Sequence, residues 1–544
     1  MRIALTIGAL AALQTLSCSV IVGGSVGDGC ETDADCVELG FASATCDAEQ
    51  KICVPGGGAV ACETSDECEQ KNGGAPSICR SDTKTCAQLT SEDCAEVFGD
   101  YKSPDAIILG FLGPLVGDDA STGVPIRNGA KLAFNEIKNN GGLPGIEGGQ
   151  PRQLAMVYCH DLGAPDDDPY RAAKHLVTDV GVPAILGPAF SGVTINTAKQ
   201  VTIPGEVLTI SASATSPSIT DLADDGLVWR TCPSDALQAV PLAELVPPIE
   251  AQLRAEQMLM ATDQIRVAMT VKGDAYGTGL ADVVTPQLYF NGGKSAVENG
   301  DNFKRVDYDD PSTNPNVDYT TVIADVIAHK PHVVLLFGTT ETATELFDGI
   351  EAAWGDIAPP IPRPYYLLPD GGKVAELLQK VGDDDDRRKR VRGTVPGAAG
   401  ALYDAFKLRY KAFIKEDPLA YAETGYDAAY LLAYAIVAAK DKAITGPNIA
   451  DGLKRTIKGT AINAGPTDIN KAFQALDSTG EIDYTGASGP LNFDTATGEA
   501  KADIDIWCVG RNASQAPVFL SSGQRYDAAL GKVVGTYNDQ GQCD

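Results

Sequence analysis

Short apolar runs alternate with amphipathic stretches from Ala106 onward: AIILGFLG is followed by NGAKLAFNEIKNNGG, then LAMVYC by DPYRAAKHLVTDVG, and then AILG. Apolar runs of this length between helical stretches predict strands buried on both faces, and hence a parallel sheet covered by helices on either side. Right-handed crossovers place the strand C-termini of such a sheet along one edge. A second series begins at RVAMTVKGDAYGTGLADVV, continues through DYTTVIADVI and HVVLLFG, and reaches YYLLPDGG, which ends in Pro369 to Gly372. The pattern predicts an α/β chain of two doubly wound lobes.

Between Gly187 and Thr220 one apolar run stops at Ser191, a helical stretch follows, and a second run stops at Ser211 to Ser216. Two strands that end in small hydroxyl residues and enter helices set free backbone N–H groups beside hydroxyls at the sheet edge. Unpaired donors and a partial positive charge at helix starts suit a carboxylate.

The N-terminal hundred residues follow another pattern. Met1 to Ser17 carries one basic residue and an apolar run too short to span a bilayer, so segment 1–17 reads as an export signal. Thr15-Leu16-Ser17-Cys18 resembles a bacterial lipobox, with Thr15 in place of the usual leucine; Cys18 is the expected lipidation site, and release of a soluble form is the alternative. Two cysteine repeats follow within 18–104, at 30–53 (Cys30, Cys36, Cys46, Cys53) and 62–86 (Cys62, Cys68, Cys79, Cys86), each opening with Cys-Glu-Thr. An exported segment with few large apolar residues is stapled by disulfides rather than held by a core, and pairing within each repeat is open. No Cys-x2-Cys knuckle occurs and all four histidines lie downstream, so no metal and no cofactor is expected. Outside Cys18 and the repeats stand Cys94, Cys159, Cys232, Cys508 and Cys543, an odd set. One of these is free, or Cys18 is not lipidated. Pairing Cys508 with Cys543 across the tail, and Cys159 with Cys232 between two strand ends, leaves Cys94 over.

At 544 residues and 44% apolar, the chain has ordinary globular composition and room for more than one domain. A net charge of −30, spread along the chain, argues against nucleic acid as a partner. Catalysis is not expected either, since the histidines accompany no nucleophile motif, no H-E-x-x-H and no Walker loop. The one cluster that invites an enzyme reading is His160-Asp161 beside Cys159. The run Asp383 to Asp386 followed by Arg387 to Arg390 is expected to be a solvated loop near a lobe crossing.

Gly113-Pro114 before the first helix and Asn139-Asn140-Gly141-Gly142 after it open a series of matching stretches. ISASATSPSIT, Asp274-Ala275-Tyr276-Gly277-x-Gly279, Gly425-Tyr426-Asp427 and Gly489-Pro490-Leu491-x-Phe493-Asp494-x-x-x-Gly498 continue it. In this order and spacing, from Ala106 to Phe519, the chain resembles the type I periplasmic binding proteins, and within them the branched-chain amino acid (leucine-type) receptors. The resemblance implies lobes joined by a three-crossing hinge, expected as 105–255 for the first part of lobe one, 256–392 for lobe two, and 393–544 for the return to lobe one with a C-terminal tail. It implies a carboxylate site at Ser191 and Thr215 with the backbone at Ser213 and Ala214, an acidic partner for an ammonium at Asp370, and a pocket tyrosine at Tyr276. Thr122 and Thr340 stand where the family has pocket aromatics, so a more polar or larger ligand, such as an amide or urea-like solute, is implied. The family bridges a cysteine near 159 to one just before the binding serine, where this chain has Phe190; Cys232 is then the expected partner of Cys159. Function follows by resemblance: a solute-binding protein for an amino acid or related small molecule, feeding an ABC permease and held at the membrane by lipid. The alternative is a lipid-anchored receptor, sensor or adhesin on the same fold. Periplasm or cell surface is the expected location.

Overall fold

The computed structural model describes residue 32, residues 45–47, 52–54 and 60–544, apart from 81–82, 162–167, 257–258, 261, 356–361, 398–399, 539–540 and 544. The chain divides into two units, 1–61 and 62–544. In the first, strands Thr45–Asp47 and Ile52–Val54 pair antiparallel with Cys46 opposite Cys53. The export segment, Cys18, Cys30 and Cys36 lie outside the described residues.

In the second unit, the apolar runs become two eight-stranded sheets. In lobe one, Val228–Arg230, Leu208–Ser211, Ala184–Leu186, Ile107–Gly113 and Leu154–His160 run parallel in that spatial order. Ile107, Leu109 and Phe111 enter one apolar cluster, while Ile108 and Leu112 enter another on the opposite face. Period-two alternation thus buries both faces of the strand. In lobe two, Phe303–Tyr308, Val267–Lys272, Val333–Phe337, Tyr365–Leu368 and Val391–Pro396 form the parallel part. Strands Ile504–Arg511, Pro517–Asp527 and Lys532–Gly535 extend it antiparallel.

Helix Ala422–Ala438 is buried along its whole length and packs on helix Ala120–Asn139. Its close approach depends on glycine: a Cβ at Gly129 would stand 2.0 Å from the carbonyl oxygen of Ala422.

Three expected boundaries are corrected. The chain enters lobe two at 231–234 rather than 256, because helices Asp235–Glu244 and Val246–Ala255 bury their apolar faces against the lobe-two sheet. It is back in lobe one by helix Ala401–Ile414, whose Phe406 and Tyr410 join the lobe-one core, since Val391–Pro396 still belongs to the lobe-two sheet. A third crossing at 501–503 takes Ile504–Gly535 back to lobe two, so 393–544 is not a single return. The cysteine arm also ends before 104, because Glu96–Gly99 pairs antiparallel with Leu154–His160 as an edge strand of lobe one.

That edge strand changes the disulfides. Cys94 bonds Cys159, and Cys232 is a buried free thiol, so neither Cys159–Cys232 pairing nor an odd Cys94 holds. The edge strand delivers Cys94 to the end of the strand that carries Cys159, whereas Cys232 sits past Val228–Arg230, on the far side of three intervening strands. Cys508 bonds Cys543, and the second repeat pairs Cys62–Cys79 and Cys68–Cys86. This repeat is built onto lobe one: Leu89 and Cys94 join a lobe-one cluster, and His175 Nε2 lies 3.1 Å from the Leu89 carbonyl oxygen. Cys94 and Cys159 stand 65 residues apart, and a loop of that size predicts that the double Ser variant loses about 4 kcal/mol in urea unfolding by the chain-entropy argument. An unchanged midpoint would mean the unfolded chain gains little freedom from the cut.

The charged run is a helix, Asp385–Arg390, and not a solvated loop. Asp384 caps it by accepting from the amides of Asp386 and Arg387, and its basic residues stand in the last turn, as the helix dipole favours. Arg388 and Arg390 are buried, and Arg390 forks onto Glu351 at 2.7 and 2.9 Å. No helix among the described residues is long and apolar enough to cross a membrane.

Candidate functional site

The strand C-termini of both lobes face one cleft of about 440 Å³ of empty space. From lobe one come Thr122, Ser191 and Ser213; from lobe two come Tyr276 and Asp370. Ser191 begins helix Ser191–Thr197, and its Oγ accepts from the amide of Ser216 at 3.1 Å. Ser213 donates to the Ala189 carbonyl at 2.7 Å. Tyr276 sits in the first turn of helix Ala275–Val284, whose start is fixed by Asp274 accepting from the Gly277 amide at 2.7 Å.

Asp370 lies in the turn Asp370–Gly372, where a Cβ at Gly371 would come within 2.4 Å of the Gly338 carbonyl oxygen. The glycines therefore allow the carboxylate to sit this deep, 5% exposed. It accepts from Tyr276 at 2.9 Å and from Gln238 and Tyr421. Burial pushes its carboxyl up, while Tyr421, Gln238 and Tyr276 pull it down. Burial also raises the phenols of Tyr276 and Tyr421 well above their usual range, so both act as donors.

Three expected residues do not line the cleft. Ala214 turns its carbonyl oxygen to Arg230, which donates at 3.1 Å. Thr215 is buried, and its carbonyl accepts from the Asp235 amide at 2.8 Å. Thr340 instead reaches across the lobes, donating to Asp119 at 2.9 Å.

The cleft includes residues that the sequence reading passed over: Ser121, Phe190, Thr339, Lys373 and Tyr421. Phe190 stands beside Ser191, and Lys272 of lobe two lies 5.7 Å from its ring centre. Lys373 follows the Asp370 turn directly and was legible from that spacing; burial lowers its ammonium, opposed by Asp505 and Glu423. Tyr421 itself holds left-handed backbone, φ 68°, just before helix Ala422–Ala438, and carries no periodic signal. What the cleft offers is hydroxyls on one wall and a hydrogen-bonded carboxylate on the other.

A family model described as periplasmic binding protein matches residues 106–511. The chain is 32% identical over 188 residues to a Leu/Ile/Val-binding protein of Rhizobium johnstonii, covering 34% of this chain and 45% of that protein. It is 27% identical over 341 residues to a chemotactic signal transduction system substrate-binding protein of Halobacterium salinarum, covering 60% of this chain and 71% of that one. The chain thus spans under half of the Rhizobium relative. Among solved structures it is similar to a leucine binding protein of Thermotoga maritima, at TM-score 0.55 and 17% identity, covering 76% of this chain and 98% of that one. It is also similar to a branched-chain amino acid transporter substrate-binding protein of Streptococcus pneumoniae in complex with isoleucine, at TM-score 0.54 and 19% identity, covering 79% and 100%.

Proposed function

Since the chain belongs to the periplasmic binding protein family, we propose that it is an extracytoplasmic receptor that closes its two lobes on an amino acid or related small molecule. The observation that carries this reading is the meeting of Ser191 and Ser213 from one lobe with Asp370 and Tyr276 from the other in a single cleft. A carboxylate on the serine wall and an ammonium at Asp370 bridge the lobes, so the ligand favours the closed state by contacts that an open cleft lacks. Charge-assisted hydrogen bonds at both ends supply most of the orientation. Thr122 gives the side-chain end a polar lining and widens the candidates to amides. Delivery to an ABC permease completes this reading, with Cys18 as the lipid anchor.

The name of the Halobacterium relative, which matches more of this chain than the Rhizobium protein does, favours a second reading, in which the closed lobes are read by a signalling partner. Both readings require the same ligand-binding step.

A thermal-shift screen of the full chain, unfolded and refolded to strip co-purified ligand, tests that step against amino acids, small amides and polyamines. A ligand at about 100 times its dissociation constant adds roughly 2.7 kcal/mol to the folded state, and a clear rise with amino acids or amides is expected. No rise with any probe would remove the receptor reading.

A further inference from the structure

We infer that Asp235 and Asp370 together hold one exchangeable proton in the free protein, and that an ammonium group arriving at Asp370 sends this proton to the solvent. Amine ligands then bind more tightly as pH rises. This inference rests on the amine site proposed above.

Both carboxylates meet on one nitrogen. Gln238 Nε2 donates to Asp235 Oδ1 at 3.0 Å and also to Asp370 Oδ1. Asp235 is fully buried and Asp370 nearly so. Among the described residues, Asp235 Oδ2 and Gln238 Oε1 are buried with no hydrogen bond of good geometry, the Thr215 hydroxyl standing close enough to Asp235 only to lower its carboxyl against the burial. A bare buried oxygen is costly on an ionised carboxylate, and less so on a carboxyl that carries its own proton.

The surroundings supply little positive charge. Arg230, on strand Val228–Arg230, acts on Asp235 from a distance, but its guanidinium donates to the carbonyls of Ala214 and Ser216, to Thr220 and to Glu499. Tyr276 and Tyr421 face Asp370 as neutral donors. Cys232 and Glu499 add no cation, and Lys373, which lines the same cleft, makes no ion pair with either carboxylate and stands 5.8 Å from the Phe519 ring centre. No lysine or arginine among the described residues pairs with either carboxylate. Burial raises both carboxyls, an ionised Asp370 raises Asp235 further, and the shared Gln238 donor ties the two together, so we treat them as one titrating unit.

The sign follows. The proton is held at neutral pH before binding and is released when an ammonium takes its place. Affinity then rises with pH by up to about tenfold per unit, the limit for one proton.

Calorimetric titration of the full chain with L-leucine at neutral pH, in phosphate and in Tris, measures the protons exchanged from the difference in heats. About one proton released per leucine bound is expected, with none for 4-methylpentanoate, the same skeleton without the amine. Asp235→Asn should release none at whatever affinity remains, because the pair no longer exists. Leucine binding with equal buffer-corrected heats and a flat pH profile would overturn the inference while leaving the receptor reading in place. Release that persists in Asp235→Asn would also overturn it, by placing the proton elsewhere. Binding of no amino acid in the same titrations, L-leucine included, would instead defeat the amine reading, and the inference would fall with it.

Discussion

Asp370→Asn is expected to weaken L-leucine binding by about 2–5 kcal/mol, from roughly thirtyfold to several thousandfold, the range for removing one partner of a buried charge pair. Asparagine fills the same space; with its oxygen at the Oδ1 position Tyr276 and Gln238 still donate to it, and the Tyr421 hydroxyl, which faces Oδ2, turns to accept from the new amide, so the turn and the cleft wall should persist. What is lost is the charge that faces the ammonium. 4-Methylpentanoate has none to lose, and should bind the parent and the variant with similar, weaker affinity. Titration calorimetry on both ligands separates the cases. An equal loss for the two would mean that the variant damaged the cleft, and no loss for either would take Asp370 out of the site.

The second large effect concerns the fold. Glu351 is buried in lobe two and accepts from Arg390 twice, from Arg363 at 3.0 Å and from Tyr366 at 2.8 Å. Removing one partner of a buried ion pair leaves the other charge uncompensated, at a cost of about 3–5 kcal/mol. Glu351→Ala is therefore expected to lower the unfolding free energy read from the urea transition by that amount, with Tyr366 also left without its acceptor. A shift within the range of ordinary surface substitutions would mean that Asp386, to which Arg390 already donates at 2.8 Å, compensates the guanidinium by itself.

The alternating apolar runs made both sheets legible, because each strand is short, continuous and buried on two faces. Ser191 and Ser213 stand just past strands that the pattern locates, while Tyr276 and Asp370 come from the resemblance to the receptor family, and all four line one cleft. Features that depend on distant partners were not legible. Helix Asp235–Glu244 is amphipathic in either lobe, and only the sheet that it meets decides which. Arg388 and Arg390 look solvated in a charged run, yet Arg390 is buried by Glu351, far back along the chain. Cys94 found Cys159 through an antiparallel edge strand that the cysteine spacing does not announce. Thr340 was assigned to the pocket by position, but its hydroxyl bridges to Asp119.

The crystal structure of the full chain with L-leucine, or with whichever amino acid gives the largest thermal shift, tests the central claim most directly. The account predicts one molecule between the lobes, its ammonium within hydrogen-bond distance of Asp370 and its carboxylate on the wall formed by Ser191 and Ser213. A ligand bound outside this cleft, or one whose ammonium lies away from Asp370, would contradict it.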